Sequence, residues 1–424
     1  MATIFQKAAN VLLIQIVVIS FLSFLPVLSQ EMRHKKTDGF ISATDFLPES
    51  FRRDGTVSYQ REIQQAIDFA SEQKAVLVFP PVIYRLDEKG LQLHSHLTLL
   101  MHGAIFQLQK ECSADGQAFH GTDLTDVDLN GGEIHGCLGD WSEGTNIRGI
   151  YLTGECTNIR ITDMTFHDLT SNAIGIFGSP EGYARDIRVN DVIAEDGCNY
   201  YGDYLSEKPG PEEGSLREDQ GLIAFYYVED FIVRSCRFDR SRSDGTHFYR
   251  SKKGQFVNNK VYDSQMGGYF LEGCEAVTAS DNIISNNGSR GVTIERGSRN
   301  CLLNSNIVAN SGREGLWAPN SVGLVISGNI FDRNGRKPNG VKDNQIWNAN
   351  ITINDAHDPT KTVTRDYLVV NNIFYTDQRQ IAAIRIDSDA VRHITITNNQ
   401  MHGENKRVLV EGEKTEEVTV HDNE

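Results

Sequence analysis

Glu272 and Glu295 stand 23 residues apart, each the last residue of a short β-rich run that begins after a glycine: Tyr269-Phe270-Leu271-Glu272 and Val292-Thr293-Ile294-Glu295. Carboxyl groups at equivalent positions of stacked parallel strands lie one strand spacing apart, about 4.8 Å. At that separation like charges push one pKa up, so that one group keeps a proton near neutral pH while its partner is ionised. Glycoside cleavage uses that pairing, and a separation near 5 Å suits a nucleophile with an acid/base, whereas a wider gap leaves room for a water. Around the pair, His247, Tyr249 and Arg296 are the catalytic candidates that would tune or orient it. Phe270 and Trp317 would hold sugar rings, whose apolar faces pack on exposed aromatics. Arg250, Asp244, Thr293 and Glu314 complete the substrate-binding candidates. The same residues admit other chemistries. Arg250 and Arg296 could simply neutralise a structural carboxylate ladder, Glu272 and Glu295 could hold Ca²⁺, or Tyr249 or His247 could move protons in a lyase.

These residues need a scaffold that repeats. Cys236, Asn259, Asn282, Asn306 and Asn329 mark equivalent points of five similar segments, at intervals of 23, 23, 24 and 23 residues. A period in this range, built from short β runs broken by Asn and Gly, predicts a solenoid in which each repeat buries its apolar face only against its neighbours. Helical repeats are excluded, because apolar residues alternate and no ten-residue amphipathic stretch fits between the breaks. Alternation points Thr246, Phe248, Tyr269, Leu271, Val292, Ile294, Leu316 and Ala318 inward. His247, Tyr249, Phe270, Glu272, Thr293, Glu295 and Trp317 then point outward, with glycines at 245, 268, 291 and 315 fixing the register. Cys236 at a ladder position reads as a small buried hydrophobe rather than a nucleophile.

The chain has 424 residues and a net charge of −16, which argues against nucleic acid and anionic membranes as partners. Lys7 followed by a nearly uninterrupted apolar run from Val11 to Leu28 reads as a secretory signal over 1–29, cleaved near Ser29. The mature chain is therefore expected to be secreted, periplasmic or at the cell surface. A flexible segment over 30–39 and a single domain over 40–424 follow, with loop insertions at about 195–220 and 334–366. The first insertion carries Tyr200, Tyr201 and Tyr204 and reads as a wall beside the groove. Seven cysteines with no Cys-x-x-Cys pair indicate neither a zinc ribbon nor a dense disulfide scaffold. Asn287-Gly288-Ser289 and Asn350-Ile351-Thr352 are glycosylation sequons in form.

A short helix from Tyr59 to Ala70, capped by Ser58, places Ile63, Ala66, Ile67 and Ala70 on one face and would close the open end of the solenoid. Asp54-Gly55, this helix, the strand Val76–Phe79, then Pro80-Pro81, Tyr84-Arg85-Leu86 and Leu97–Leu100 resemble the N-terminal opening of the pectate-lyase-like superfamily. The chain departs from that pattern where Arg53 replaces the first glycine of Gly-Asp-Gly and Val82 replaces a glycine. The resemblance implies an all-β fold, a right-handed parallel β-helix of about ten coils with an N-terminal capping helix. It also implies action on a polysaccharide or oligosaccharide, as a glycoside hydrolase with no cofactor, as a polysaccharide lyase or uronate C5-epimerase with Ca²⁺ in some members, or as a non-catalytic glycan-binding surface protein. Lyases of this superfamily place a Lys and an Arg on successive rungs, where this chain has Glu272 and Glu295. The epimerases' Asp-Pro-His motif is replaced by Ala356-His357-Asp358-Pro359.

Overall fold

A computed structural model describes residues 39–142, 145–198, 220–336, 348–356 and 360–424. The expected signal, nearly all of the flexible segment, most of the first insertion, including Tyr200, Tyr201 and Tyr204, and parts of the second lie outside the described residues. Among those described, no helix is long and apolar enough to cross a membrane.

Every strand pairing is parallel, and the chain winds through three sheets of 14, 12 and 12 strands. One coil illustrates the path: Ile147–Thr153 lies in the sheet that will form the groove, Thr157–Thr162 in the 14-stranded sheet, and Thr165–His167 in the remaining one. Each strand then pairs with its counterpart one coil on, so the fold is a parallel β-helix. Two of the sheets have twelve strands, not the expected ten coils. The additional coils are the ones the repeat conceals, through strands as short as Leu91–Gln92 and through irregular spacing.

Inside the coils, alternation puts one side of every strand in an apolar column. Phe248, Tyr269, Leu271, Val292, Ile294, Leu316 and Ala318 are all buried as expected, and Phe256 stacks on Tyr269 at 4.7 Å. At the corner between the 14-stranded sheet and the next, the residue before each ladder asparagine adopts a left-handed conformation: Asn258, Asp281, Ser305, Gly328 and Asn371. Asn, Asp and Gly tolerate that conformation best, which explains the composition of the breaks. The ladder itself runs through Asn259, Asn282, Asn306, Asn329, Asn372 and Asn399. Asn282 shows its economy: its Oδ1 accepts from the Asn259 backbone N–H at 2.8 Å, and its Nδ2 donates to Asn306 Oδ1 at 2.8 Å and to the Phe256 carbonyl at 2.9 Å. Cys236 heads this column, buried, its thiol pushed up to about 12 by burial. None of the seven cysteines forms a disulfide among the described residues.

A second column joins Asn334 to Asn350 at 2.8 Å, while Asn287 Oδ1 accepts from the Ser264 backbone N–H at 3.0 Å. Asn287 and Asn350 are thus buried ladder residues, and the two sequons are not available for glycosylation in the folded protein. Gly268, which precedes a groove strand, is required by packing: a Cβ there would lie 2.6 Å from Asn287 Nδ2 and 2.7 Å from the Gly291 carbonyl oxygen.

At the N-terminal end the helix Gln60–Gln73 covers the first coil with Ile63, Ala66, Ile67 and Ala70, the four residues expected on its inner face. Ser58 does not form a strong cap; its hydroxyl instead donates to the Arg85 carbonyl at 2.9 Å. The C-terminal coil ends on the strands Val408–Glu411 and Val418–His421, with Glu411, Glu413, Lys414 and Glu416 exposed around them.

Candidate active site

Four consecutive strands of one 12-stranded sheet, Ile223–Tyr226, Thr246–Tyr249, Tyr269–Glu272 and Val292–Glu295, present their outward residues in two rows. Ala224, His247, Phe270 and Thr293 form the first, which Trp317 continues on the next strand. Tyr226, Tyr249, Glu272 and Glu295 form the second. Glu272 and Glu295 are therefore in direct register on neighbouring rungs, as the 23-residue interval requires.

The residue after each of these strands turns the chain out of the sheet in a left-handed conformation: Arg250, Gly273 and Arg296 occupy this position in successive coils. That turn brings the Arg296 side chain back over the two carboxylates. Its Nη1 donates to Glu272 Oε1 at 2.6 Å, and its Nε lies 3.5 Å from Glu295 Oε1. Glu272 Oε2 meets His247 Nε2 at 3.1 Å, and His247 Nδ1 meets the Tyr226 hydroxyl at 2.8 Å. The His247 ring also stacks on Phe270 at 4.6 Å.

These contacts separate the two glutamates electrostatically. Burial alone would raise Glu272, but the hydrogen bond and charge of His247 and the guanidinium of Arg296 outweigh it and hold the carboxyl at about 2. Glu295 is raised above its ordinary value, first by burial and further by the Glu272 charge, against the opposing pull of Arg296 and Arg290. The surroundings thus push the two neighbouring carboxyls in opposite directions, Glu272 toward the ionised form and Glu295 toward the protonated one. Two titratable groups whose surroundings push them apart define an acid and its ionised partner.

Glu295 opens on a cavity of ≈170 Å³ whose wall includes Asp244, Phe270, Thr293, Arg296 and Trp317. That is below the roughly 300–1,000 Å³ typical of small-molecule sites, so it suits about one ring of a longer ligand. Glu272 is not part of this lining, yet its side chain is as reachable as that of Glu295, at 12% and 10% exposure. Asp244 also lines the cavity; Gly267 N–H and Gln220 donate to it, and burial raises its pKa.

Other expected residues take different positions. Glu314 is fully enclosed, 3.3 Å from Arg290 Nε and 3.7 Å from Arg313 Nε, and has no surface to offer a substrate. His247 is buried with both ring nitrogens engaged, so it orients Glu272 rather than facing the groove. Tyr249 and Arg250 lie outside the cavity, Arg250 over the Tyr249 ring at 5.4 Å, and Tyr249 packs with Tyr226 and Tyr227. Trp317 is half-buried; its Nε1 donates to Asn354 at 2.8 Å and the Arg290 guanidinium covers one face at 3.8 Å. Sequence reasoning missed Tyr226, Gln220, Arg313 and Asn320. Arg290 and Arg313 precede the strand-opening glycines at 291 and 315 by one and two residues.

Arg296 contacts both carboxylates, and its guanidinium charge opposes a second cation shared by Glu272 and Glu295.

The family model for the right-handed beta helix region matches residues 140–331 and 221–424, and the chain belongs to that family. No curated protein sequence matches it. Among solved structures it is similar to the A-module of the Azotobacter vinelandii mannuronan C-5 epimerase AlgE4, with a TM-score of 0.73 and 13% identity over 90% of this chain and 100% of that one. The Dettilon tailspike protein gives a TM-score of 0.64 and 14% identity over 90% and 72%. PfbA, a surface adhesin of Streptococcus pneumoniae, gives 0.61 and 14% over 87% and 91%. At these identities the likeness establishes the shared fold.

Proposed function

We propose that this protein cleaves glycosidic bonds in a polysaccharide or oligosaccharide as a glycoside hydrolase. The observation that carries the reading is the in-register pair Glu272 and Glu295, whose carboxyls are shifted in opposite directions around Arg296 beside a ring-sized cavity. Support also comes from the similar structures, which include a mannuronan epimerase and an HK620 tailspike in complex with a pentasaccharide. In the proposed reaction Glu295 donates its proton to the glycosidic oxygen as the bond to the anomeric carbon breaks. Ionised Glu272 attacks that carbon; although each of its oxygens already accepts one hydrogen bond, each keeps a second lone pair. Water, deprotonated by Glu295, then releases the sugar. A one-rung separation favours this retaining course.

Asp244 supports a second assignment within the same class, because it lines the cavity with Glu295, where it would act as the base that activates a water. The test is an assay of the chain against neutral and acidic polysaccharides, following reducing ends and ultraviolet absorbance together. Reducing ends without absorbance, abolished in Glu295→Gln and Glu272→Gln, support the retaining pair. Loss in Asp244→Asn with activity kept in Glu272→Gln moves the partner role to Asp244. Absorbance from unsaturated sugars replaces the hydrolase with a lyase, and binding without turnover replaces it with a glycan-binding surface.

A further inference from the structure

A different sheet carries a cluster that the groove chemistry does not use. His135 ends the strand Glu133–His135, His167 ends Thr165–His167, and Glu195 ends Ile193–Glu195, and the three are in register on consecutive coils. Glu133 is two residues from His135 in an extended strand and so shares its outward face. Glu133 Oε2 lies 2.8 Å from His135 Nε2, and the two imidazoles meet edge to face at 5.2 Å. One ligand atom from each of Glu133, His135 and His167 falls within 4.8 Å of the others, the one such grouping among the described residues.

The surroundings fix how these rings are presented. Glu195 Oε1 lies 3.1 Å from His167 Nδ1, while Glu195 Oε2 accepts from Arg240 Nη2 at 2.9 Å. A carboxylate anchored by an arginine keeps the proton on Nδ1 and leaves Nε2 as the lone-pair nitrogen. This carboxylate–histidine arrangement orients imidazoles toward metal ions and raises their basicity. His96, paired with Asp126 alone, is more open: its imidazole is 49% exposed, against 30% and 27% for His135 and His167.

We propose that Glu133, His135 and His167 bind a Zn²⁺ ion, with water in the fourth position and with Glu195 and Arg240 as positioning residues. Two imidazoles and one carboxylate select a first-row transition ion over Ca²⁺ or Mg²⁺, which take oxygen ligands. Bonds of about 2.0–2.1 Å place tetrahedral donors roughly 3.3 Å apart. Side-chain rotation closes the present cluster to that size with the strand register unchanged. The ion cross-links adjacent coils on the side away from the carboxylate pair.

Titration calorimetry of the full, tag-free chain with Zn²⁺ tests this. One equivalent binds with micromolar or tighter affinity, millimolar Ca²⁺ and Mg²⁺ do not compete, and Co²⁺ in place of Zn²⁺ gives the visible absorption of a tetrahedral site. His135→Ala and His167→Ala each weaken binding at least tenfold, and Glu195→Gln weakens it about tenfold to a hundredfold through His167 alone. His96→Ala leaves it unchanged. A second reading on the wild-type chain needs no variant: Zn²⁺ slows carbethoxylation of His135 and His167, followed by peptide mass spectrometry, at least tenfold relative to His96. Absence of binding up to millimolar Zn²⁺, retention of it in the His135→Ala/His167→Ala double variant, or equal modification rates overturns the proposal.

Discussion

Arg296 is the residue on which the pair depends, and its backbone offers a clean test. It sits at a positive φ of 54° where the preceding coil has Gly273 at 63°, so Arg296→Gly removes the guanidinium and relieves rather than strains the turn. Without it the two carboxylates repel directly. We expect the acidic limb of the pH–rate profile to move up and turnover to fall about a hundredfold, with unfolding little changed. Stability should report the pair as well. Glu272, held from 4.5 to about 2, contributes stability that is present above pH 4.5 and lost as pH falls toward 2, up to roughly 3 kcal/mol. Glu295 acts in the opposite sense, because the folded state holds its proton to higher pH, so stability drops as pH rises above 4.5 through its raised pKa. Denaturant unfolding at a series of pH values should therefore find Glu272→Gln weaker than wild type at pH 7, by an amount that vanishes near pH 2, and Glu295→Gln at least as stable as wild type at pH 7. The pair was legible from type and spacing because period two and a 23-residue repeat fix which side chains are neighbours. The same rule sends His247 outward, where the register has it, but alternation tells which way a side chain leaves a strand, not what lies over it, so the burial of His247 was not legible.

At the scale of elements, the asparagine corners hold the register that superimposes Glu272 on Glu295. Asn306 donates to Asn329 at 2.9 Å and to the Ala279 carbonyl at 3.0 Å, and accepts from the Asn282 backbone at 3.0 Å. Asn306→Ala leaves the buried Asn282 backbone N–H without its acceptor and removes the donor to the Ala279 carbonyl, although Asn329 Oδ1 keeps the residue-306 backbone N–H; it should cost about 2–4 kcal/mol in equilibrium unfolding, whereas Asn304→Ala, at a side chain in contact with solvent, should cost under about 1 kcal/mol. The regular coils between residues 231 and 334 could be read from sequence because their corners use the same residue types each time. Earlier coils at 127–134, 159–166 and 187–194 are readable singly but not as a regular repeat, since strands such as Leu91–Gln92 are too short to show alternation and the spacing between Gly116–Thr122 and Ile147–Thr153 differs from that between later coils.

For the whole molecule, stability is a chain of nearest-neighbour contacts with protected ends. The helix Gln60–Gln73 shields the first coil, so Ile63→Asp with Ile67→Asp should open that end. Hydrogen exchange is expected to show protection lost first in the strands from Phe40–Ser42 to Ile105–Leu108 and kept in Tyr269–Glu272 and Val292–Glu295; simultaneous loss everywhere would mean that the coils unfold as one unit.

The left-handed turn shared by Arg250, Gly273 and Arg296 has a consequence beyond the present site. Since one backbone shape recurs at each step of the axis, exchanging Gly273 with Arg296 would slide a positive charge by one strand spacing and leave the main chain where it is. Such a surface behaves like a keyboard: its keys are evenly pitched, and reaction chemistry can be transposed along it one coil at a time.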